Sequence, residues 1–180
     1  MSQILSAPDP RLSEKAKPVK TVDRGITKFI EQLKIALASA SDPIGVGLAA
    51  PQVGKNIDIF VAKPTFKSPA YVFINPKIIK REGPEKTLKE DKIAKLEGCL
   101  SLPNIWGDVR RYREISLEYL DESGKKHRRK FSGFLATIIQ HEYDHLNGIL
   151  FPKRVLEQGG TLYKSEKNDE GEDVFEELKI

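Results

Sequence analysis

Residues 140–148 read Gln-His-Glu-Tyr-Asp-His-Leu-Asn-Gly and contain the pattern H-E-x-x-H, from His141 to His145. In a helix, at about 100° per residue, the two imidazoles stand about 40° apart, one turn up the same face. So placed, they can chelate one transition metal. Glu142 falls about 60° beyond His145, on the flank of that face. A carboxylate there reaches a water held at the metal without being a ligand itself, which is what a general base needs. Asp144, on the other flank, either orients a ligand histidine through its second ring nitrogen or faces solvent. Phe134 and Ile138 precede His141 on the same face. The histidines are therefore expected to point into the apolar interior, where imidazoles without partners are costly and a metal would satisfy them.

Two histidines are half of a tetrahedral site, and a hydrolytic zinc-type centre commonly takes a third protein ligand. In the longer H-E-x-x-H-x-x-G-x-x-H pattern the glycine is present as Gly148, but Phe151 occupies the place of the third histidine. The candidates are then Glu166, His127 and Cys99. Glu166 sits in an acidic tail among other carboxylates, and His127 lies in Lys125-Lys126-His127-Arg128-Arg129-Lys130, where neighbouring cations disfavour a divalent metal. Cys99 lies among small and apolar residues in Glu97-Gly98-Cys99-Leu100-Ser101-Leu102-Pro103. It reads either as a buried structural thiol or as a thiolate ligand, because a thiol that coordinates a divalent cation is deprotonated.

The elements that must carry these residues follow from periodicity and punctuation. Pro8, Pro10 and Pro18 make residues 1–20 an extended arm. Thr21 or Asp23 caps a helix to about Ser39, with Ile26, Phe29, Ile30, Leu33 and Leu37 on one buried face and Asp42-Pro43 as a stop. Gly45-Val46-Gly47-Leu48-Ala49-Ala50-Pro51-Gln52-Val53-Gly54 reads as a loop. Ile57–Ala62 and Tyr71–Asn75 read as buried strands, and 80–96 as a solvated loop or edge hairpin. Ile115–Leu120 and Lys125–Phe131 form a hairpin about Asp121-Glu122-Ser123-Gly124. Ser132 caps a helix from about Gly133 to Leu146, closed by Asn147-Gly148. A second hairpin runs from Thr161–Glu166 to Val174–Ile180. With no repeat and no linker, the reading is a single α+β domain over 1–180, with a flexible acidic tail from about 157.

Composition narrows the classes. The chain has 180 residues, 39% hydrophobic and 31% charged, and one cysteine. That excludes a disulfide framework and any four-cysteine metal site within one chain. No apolar run approaches the roughly 18–20 residues that span a bilayer. The N-terminus shows no secretory signal, so a reducing cytoplasm is the expected location. Net charge is +4, but residues 157–180 hold 8 acidic and 3 basic side chains. The basic remainder suggests some attraction to polyanions; without interleaved aromatics it argues for no specific nucleic-acid site.

Three segments together resemble the signature motifs of the peptide deformylase family, in the right order: Gly45–Gln52, Glu97–Ser101 and His141–His145. The resemblance extends from Pro8-Asp9-Pro10-Arg11-Leu12 to about Phe151. It implies a fold with antiparallel sheets packed around a central H-E-x-x-H helix, with an N-terminal helix and a C-terminal strand or hairpin. It implies removal of the formyl group from N-formylmethionine of nascent peptides. Carried over by position, it implies Cys99, His141 and His145 as metal ligands, Glu142 as acid and base, and Gln52 with the Leu100 backbone N–H at the formyl oxygen. It points to Val46, Gly47 and Gly98 as backbone contacts for an extended substrate. Phe134 and Ile138 are expected around the methionine side chain. Arg111 matches a basic position of the family and is expected to pair with Glu97, whereas Trp106 stands where some members have arginine.

The resemblance also implies Fe²⁺ as the physiological ion; one thiolate and two imidazoles suit Zn²⁺, Ni²⁺ or Co²⁺ as substitutes. Glycines at 45, 47 and 98 are expected to let a peptide backbone approach with no Cβ in the way. A weak ribosome contact is expected through Lys125–Lys130. Two other readings compete: a metalloendopeptidase with Glu166 as third ligand, and a non-enzymatic module that binds ribosomal RNA around a structural metal.

Overall fold

In a computed structural model, residues 3–40, 44–85 and 96–179 are described. The helix stop at Asp42-Pro43 and most of the 80–96 segment lie outside them. Among the described residues, three α-helices accompany nine strands, all paired antiparallel. The larger sheet has the order β1 (Gly47–Ala49), β2 (Ile59–Ala62), β3 (Tyr71–Glu85), β6 (Tyr112–Leu120), β7 (Lys126–Ser132). The smaller has the order β4 (Glu97–Cys99), β5 (Leu102–Gly107), β8 (Leu162–Lys167), β9 (Asp173–Glu177). β1 and β4, which carry Gly47 and Gly98, are each an edge strand of their sheet.

The centre of the larger sheet is buried on both faces because helices cover both. Alternate side chains of β2 and β3 go opposite ways, as the pleat demands. Ile59, Val61, Val72 and Ile74 pack with Ile30, Leu33 and Leu37 of α1 (Arg24–Ser39). Phe60, Ala62 and Phe73 pack with Ala136, Ile138 and Ile139 of α2 (Gly133–Leu146). α1 begins where Asp23 accepts the Ile26 N–H at 2.9 Å, as its sequence predicts. α2 has the expected limits, but Ser132 makes no side-chain cap bond. The smaller sheet shares a core of Cys99, Val109, Phe151, Val155 and Leu162 with α3 (Phe151–Glu157).

Several sequence expectations are revised. The Gly45–Gly54 segment is not only a loop: it holds β1 and a 3-10 helix, Ala50–Val53. β3 runs ten residues beyond Asn75. The N-terminal arm folds a 3-10 turn at Pro10–Ser13 and bridges Ile57 through Lys17. The tail hairpin, by contrast, forms as expected: β8 and β9 pair antiparallel and extend the smaller sheet.

Candidate metal centre

The cysteine and the two histidines arrive from two sides. β4 ends in Cys99, and α2 carries both histidines. Cys99 Sγ lies 3.2 Å from His145 Nε2. One donor atom from each of Cys99, His141 and His145 lies within 4.8 Å of the others. A tetrahedral ion with bonds near 2.0–2.3 Å would hold such atoms roughly 3.3–3.6 Å apart, so a small inward adjustment suits them to one metal. Phe151 does not close the site as a ligand; its ring stacks at 6.2 Å on His141.

Burial disfavours a charged His141, yet Cys99 and Glu97 outweigh it and raise its pKa well above the usual imidazole value. His145 is pushed the opposite way, by burial first and then by His141. The two imidazoles thus differ in charge, His141 favouring the cation and His145 the neutral ring. His145 Nδ1 and Glu142 Oε2 are buried without a protein partner.

His141 is oriented by Glu97, whose Oε2 lies 3.1 Å from Nδ1, which leaves Nε2 for a metal. Arg111 grips the same carboxylate through Nε and Nη2, both at 2.9 Å, and donates to Asp144 Oδ2 at 2.6 Å. Burial alone would raise Glu97, but Arg111 and His141 hold it at about 2, so it stays ionised. The Glu97–Arg111 pair forms as the family resemblance implies. Asp144 does not follow its sequence reading: its carboxylate neither bonds His141 or His145 nor faces solvent, but lies buried between Arg111 and Arg154.

Gln52 is buried and fixed at both ends of its amide. Its Oε1 accepts the Ala49 N–H at 2.8 Å, while Nε2 donates to Ser101 Oγ at 3.1 Å and points at Cys99 Sγ, 3.7 Å away. Ser101 had no role in the sequence reading, although it belongs to the Glu97–Ser101 motif. Leu100 lies in the turn after β4, half-buried against the α1 side of the core. Glu142 is 4% exposed, and burial raises its carboxyl to about 7.

Other residues fall differently. Ile138 is buried, but Phe134 is 55% exposed at the start of α2 and does not point into the interior. The Val46 carbonyl already accepts the Lys63 N–H, so by antiparallel alternation the backbone groups of Gly47 face the free edge. The space left by the absent glycine Cβ atoms is filled from within the protein. A Cβ on Gly45 would meet Leu37, one on Gly47 would meet Glu142, and one on Gly98 would meet Trp106. His127 is half-buried against Tyr119 and bonded to Asp121, and Glu166 is an exposed partner of Lys164. Neither joins the cluster.

The polypeptide deformylase family model matches residues 1–159. The chain belongs to the peptide deformylase family. The peptide deformylase of Chlorobium luteolum is 41% identical over 166 residues, covering 89% of this chain and 82% of that protein. The crystal structure of the Thermotoga maritima peptide deformylase superposes with a TM-score of 0.74 at 34% identity, over 86% of this chain and 97% of the other. That of Synechococcus elongatus, in complex with actinonin, gives 0.74 at 35% identity, over 87% and 85%. A deformylase is a hydrolase that removes the formyl group from newly made peptides, and that is the activity of this chain.

Proposed function

We propose that this deformylase works through Cys99, His141 and His145 as ligands of one divalent metal, with Glu142 as the group that moves the proton. The observation that carries this reading is the convergence of those three donor atoms within 4.8 Å beside a buried carboxylate on the same helix. The larger sheet packs on the H-E-x-x-H helix, and β4 meets that helix through Cys99 beside His145 and Glu97 beside His141. When bound, the metal acidifies a water and polarises the formyl carbonyl. Glu142 accepts a proton from the attacking water as its oxygen adds to the formyl carbon. The Gln52 amide and the Leu100 N–H donate to the oxygen on which charge develops, each contributing about 3–4 kcal/mol if aligned as in a typical oxyanion hole. Glu142 then gives its proton to the amine nitrogen, the C–N bond breaks, and formate and a free N-terminus result.

The substrate is an N-formylmethionyl nascent peptide, lying extended along β1 at Gly47 and near Gly98, with main-chain bonds that do not depend on its sequence. Ile138 and the open ring of Phe134 receive the methionine side chain. Fe²⁺ is the proposed physiological ion, with Zn²⁺, Ni²⁺ and Co²⁺ as working substitutes. The proposed setting is the cytoplasm. No helix among the described residues is long and apolar enough to cross a membrane. Any ribosome contact through Lys125–Lys130 is weak, because Lys126, Arg128 and Lys130 already pair with Glu118, Glu82 and Glu114.

Metal analysis of anaerobically purified protein, run beside a formate-release assay, tests the ligand set. One metal per chain, lost in Cys99→Ala and kept in Glu166→Ala, is expected. The reverse pattern would favour an endopeptidase-like site with Glu166 as ligand.

A further inference from the structure

The family match ends at residue 159, whereas the β8–β9 hairpin spans residues 162–177. This hairpin nevertheless reaches the metal centre through one side chain. Trp106 lies opposite Gly98 in the β4–β5 register. Its indole fills the place a Cβ on Gly98 would take, with Cζ3 2.8 Å from that point. The ring therefore rests directly on the backbone that leads into Cys99. From the other side Trp106 Nε1 donates to Ser165 Oγ at 2.9 Å, and Ser165 is only 5% exposed. Phe175 meets the ring edge-on, 5.8 Å between centroids. Beside the indole a cleft of about 350 Å³ remains open, so the ring is held by Gly98 and the hairpin rather than by a closed core.

We propose that the β8–β9 hairpin is part of the catalytic assembly, with Trp106 as a positioning residue that presses Gly98 into place and so sets Cys99 for the metal. The physical reason is the shape of β4. It is a short edge strand with a register shift between Gly98 and Cys99, and hydrogen bonding along one side alone leaves its backbone poorly constrained. A flat ring seated on a glycine removes that freedom, and the Ser165 hydroxyl fixes the rotation of the ring.

The inference rests on Cys99 being a ligand, and the test separates the two ideas. Co²⁺-loaded protein is compared as wild type, Cys99→Ala, Ser165→Ala, Ser165→Thr and Trp106→Phe. The thiolate-to-cobalt absorption band, the rate of Co²⁺ loss to a chelator, and kcat against KM are read for each. Ser165→Ala and Trp106→Phe each remove the N–H···O bond and leave the core intact. Both are expected to shift the band, release metal about 10-fold faster and lower kcat with little change in KM. Ser165→Thr, which keeps the hydroxyl, should restore all three. If the wild-type band is present and lost in Cys99→Ala, yet Ser165→Ala and Trp106→Phe match wild type in band and release rate, the hairpin proposal is wrong. If wild type shows no thiolate band, the ligand assignment itself has failed.

Discussion

Gly47 and Glu142 are packed so closely that a Cβ on the glycine would stand 2.8 Å from the Glu142 carboxyl carbon. The glycine thus makes room for a carboxylate of the protein itself. Its absent side chain lets an edge strand lie flat on α2 beside Glu142. Gly47→Ala is therefore expected to displace Glu142 without touching a ligand. Turnover of a formylated peptide should fall roughly 10²-fold, the lower range for loss of a positioned acid–base group. Metal content should stay at the wild-type level. Unchanged kcat in this variant would mean that Glu142 has latitude the packing does not allow.

Arg111 links the centre to the body of the protein, since it holds Glu97 and Asp144 at once. Burial opposes its charge, but Glu97 and Asp144 more than compensate and raise its pKa above the ordinary arginine value. Arg111→Met leaves Glu97 buried beside His141 without its cation. Removing one partner of a buried pair costs about 3–5 kcal/mol, and loosening the group behind a ligand histidine weakens metal binding about 10–100-fold. Urea unfolding and chelator competition measure the two losses. Stability and affinity both at wild-type values would show that the pair is dispensable.

Asp58 offers a check on stability that is independent of the centre. Burial raises its carboxyl to about 6, with Lys15 opposing. The folded state therefore holds this proton more tightly than the unfolded chain, whose carboxyl titrates near 3.9. Stability is lost as pH rises from about 4 to about 6 and stays lower above that. Asp58→Asn is neutral throughout. It should gain about 1 kcal/mol at pH 7.5, allowing for partial exposure, or roughly 2–4 °C in Tm. The gain should vanish below about pH 4. Thermal melts across pH 4–8 decide this, and a gain that persists at low pH would argue against a titrating Asp58.

Much of the scaffold was legible because its signals are local. Asp23 as a cap, the α1 face from Ile30 to Leu37, and the turn at Asp121–Gly124 each depend on residues close in sequence. The short strands β1, β4 and β5 were not legible, since pairing partners far along the chain define them. α3 was missed although Pro152 in its first turn is a recognisable start signal. At the centre, the histidine spacing and the three motifs pointed to Cys99, His141 and His145. The surroundings did not follow from spacing. Asp144 is drawn into the interior by Arg111 and Arg154. Phe134 stays exposed because it lies in the first turn of α2, ahead of Ala136, Ile138 and Ile139, which meet the sheet. The glycine contacts depend on which side of a strand another element approaches, and no local pattern records that.

The central claim is that Glu142 moves the proton while three other residues hold the metal. Formate release from formyl-Met-Ala-Ser by Glu142→Ala, with metal per chain measured on the same sample, tests it most directly. The expected result is one bound metal, a wild-type fold and a kcat lowered about 10²–10⁴-fold. Turnover near the wild-type rate with metal bound, or loss of the metal with Glu142, would contradict it.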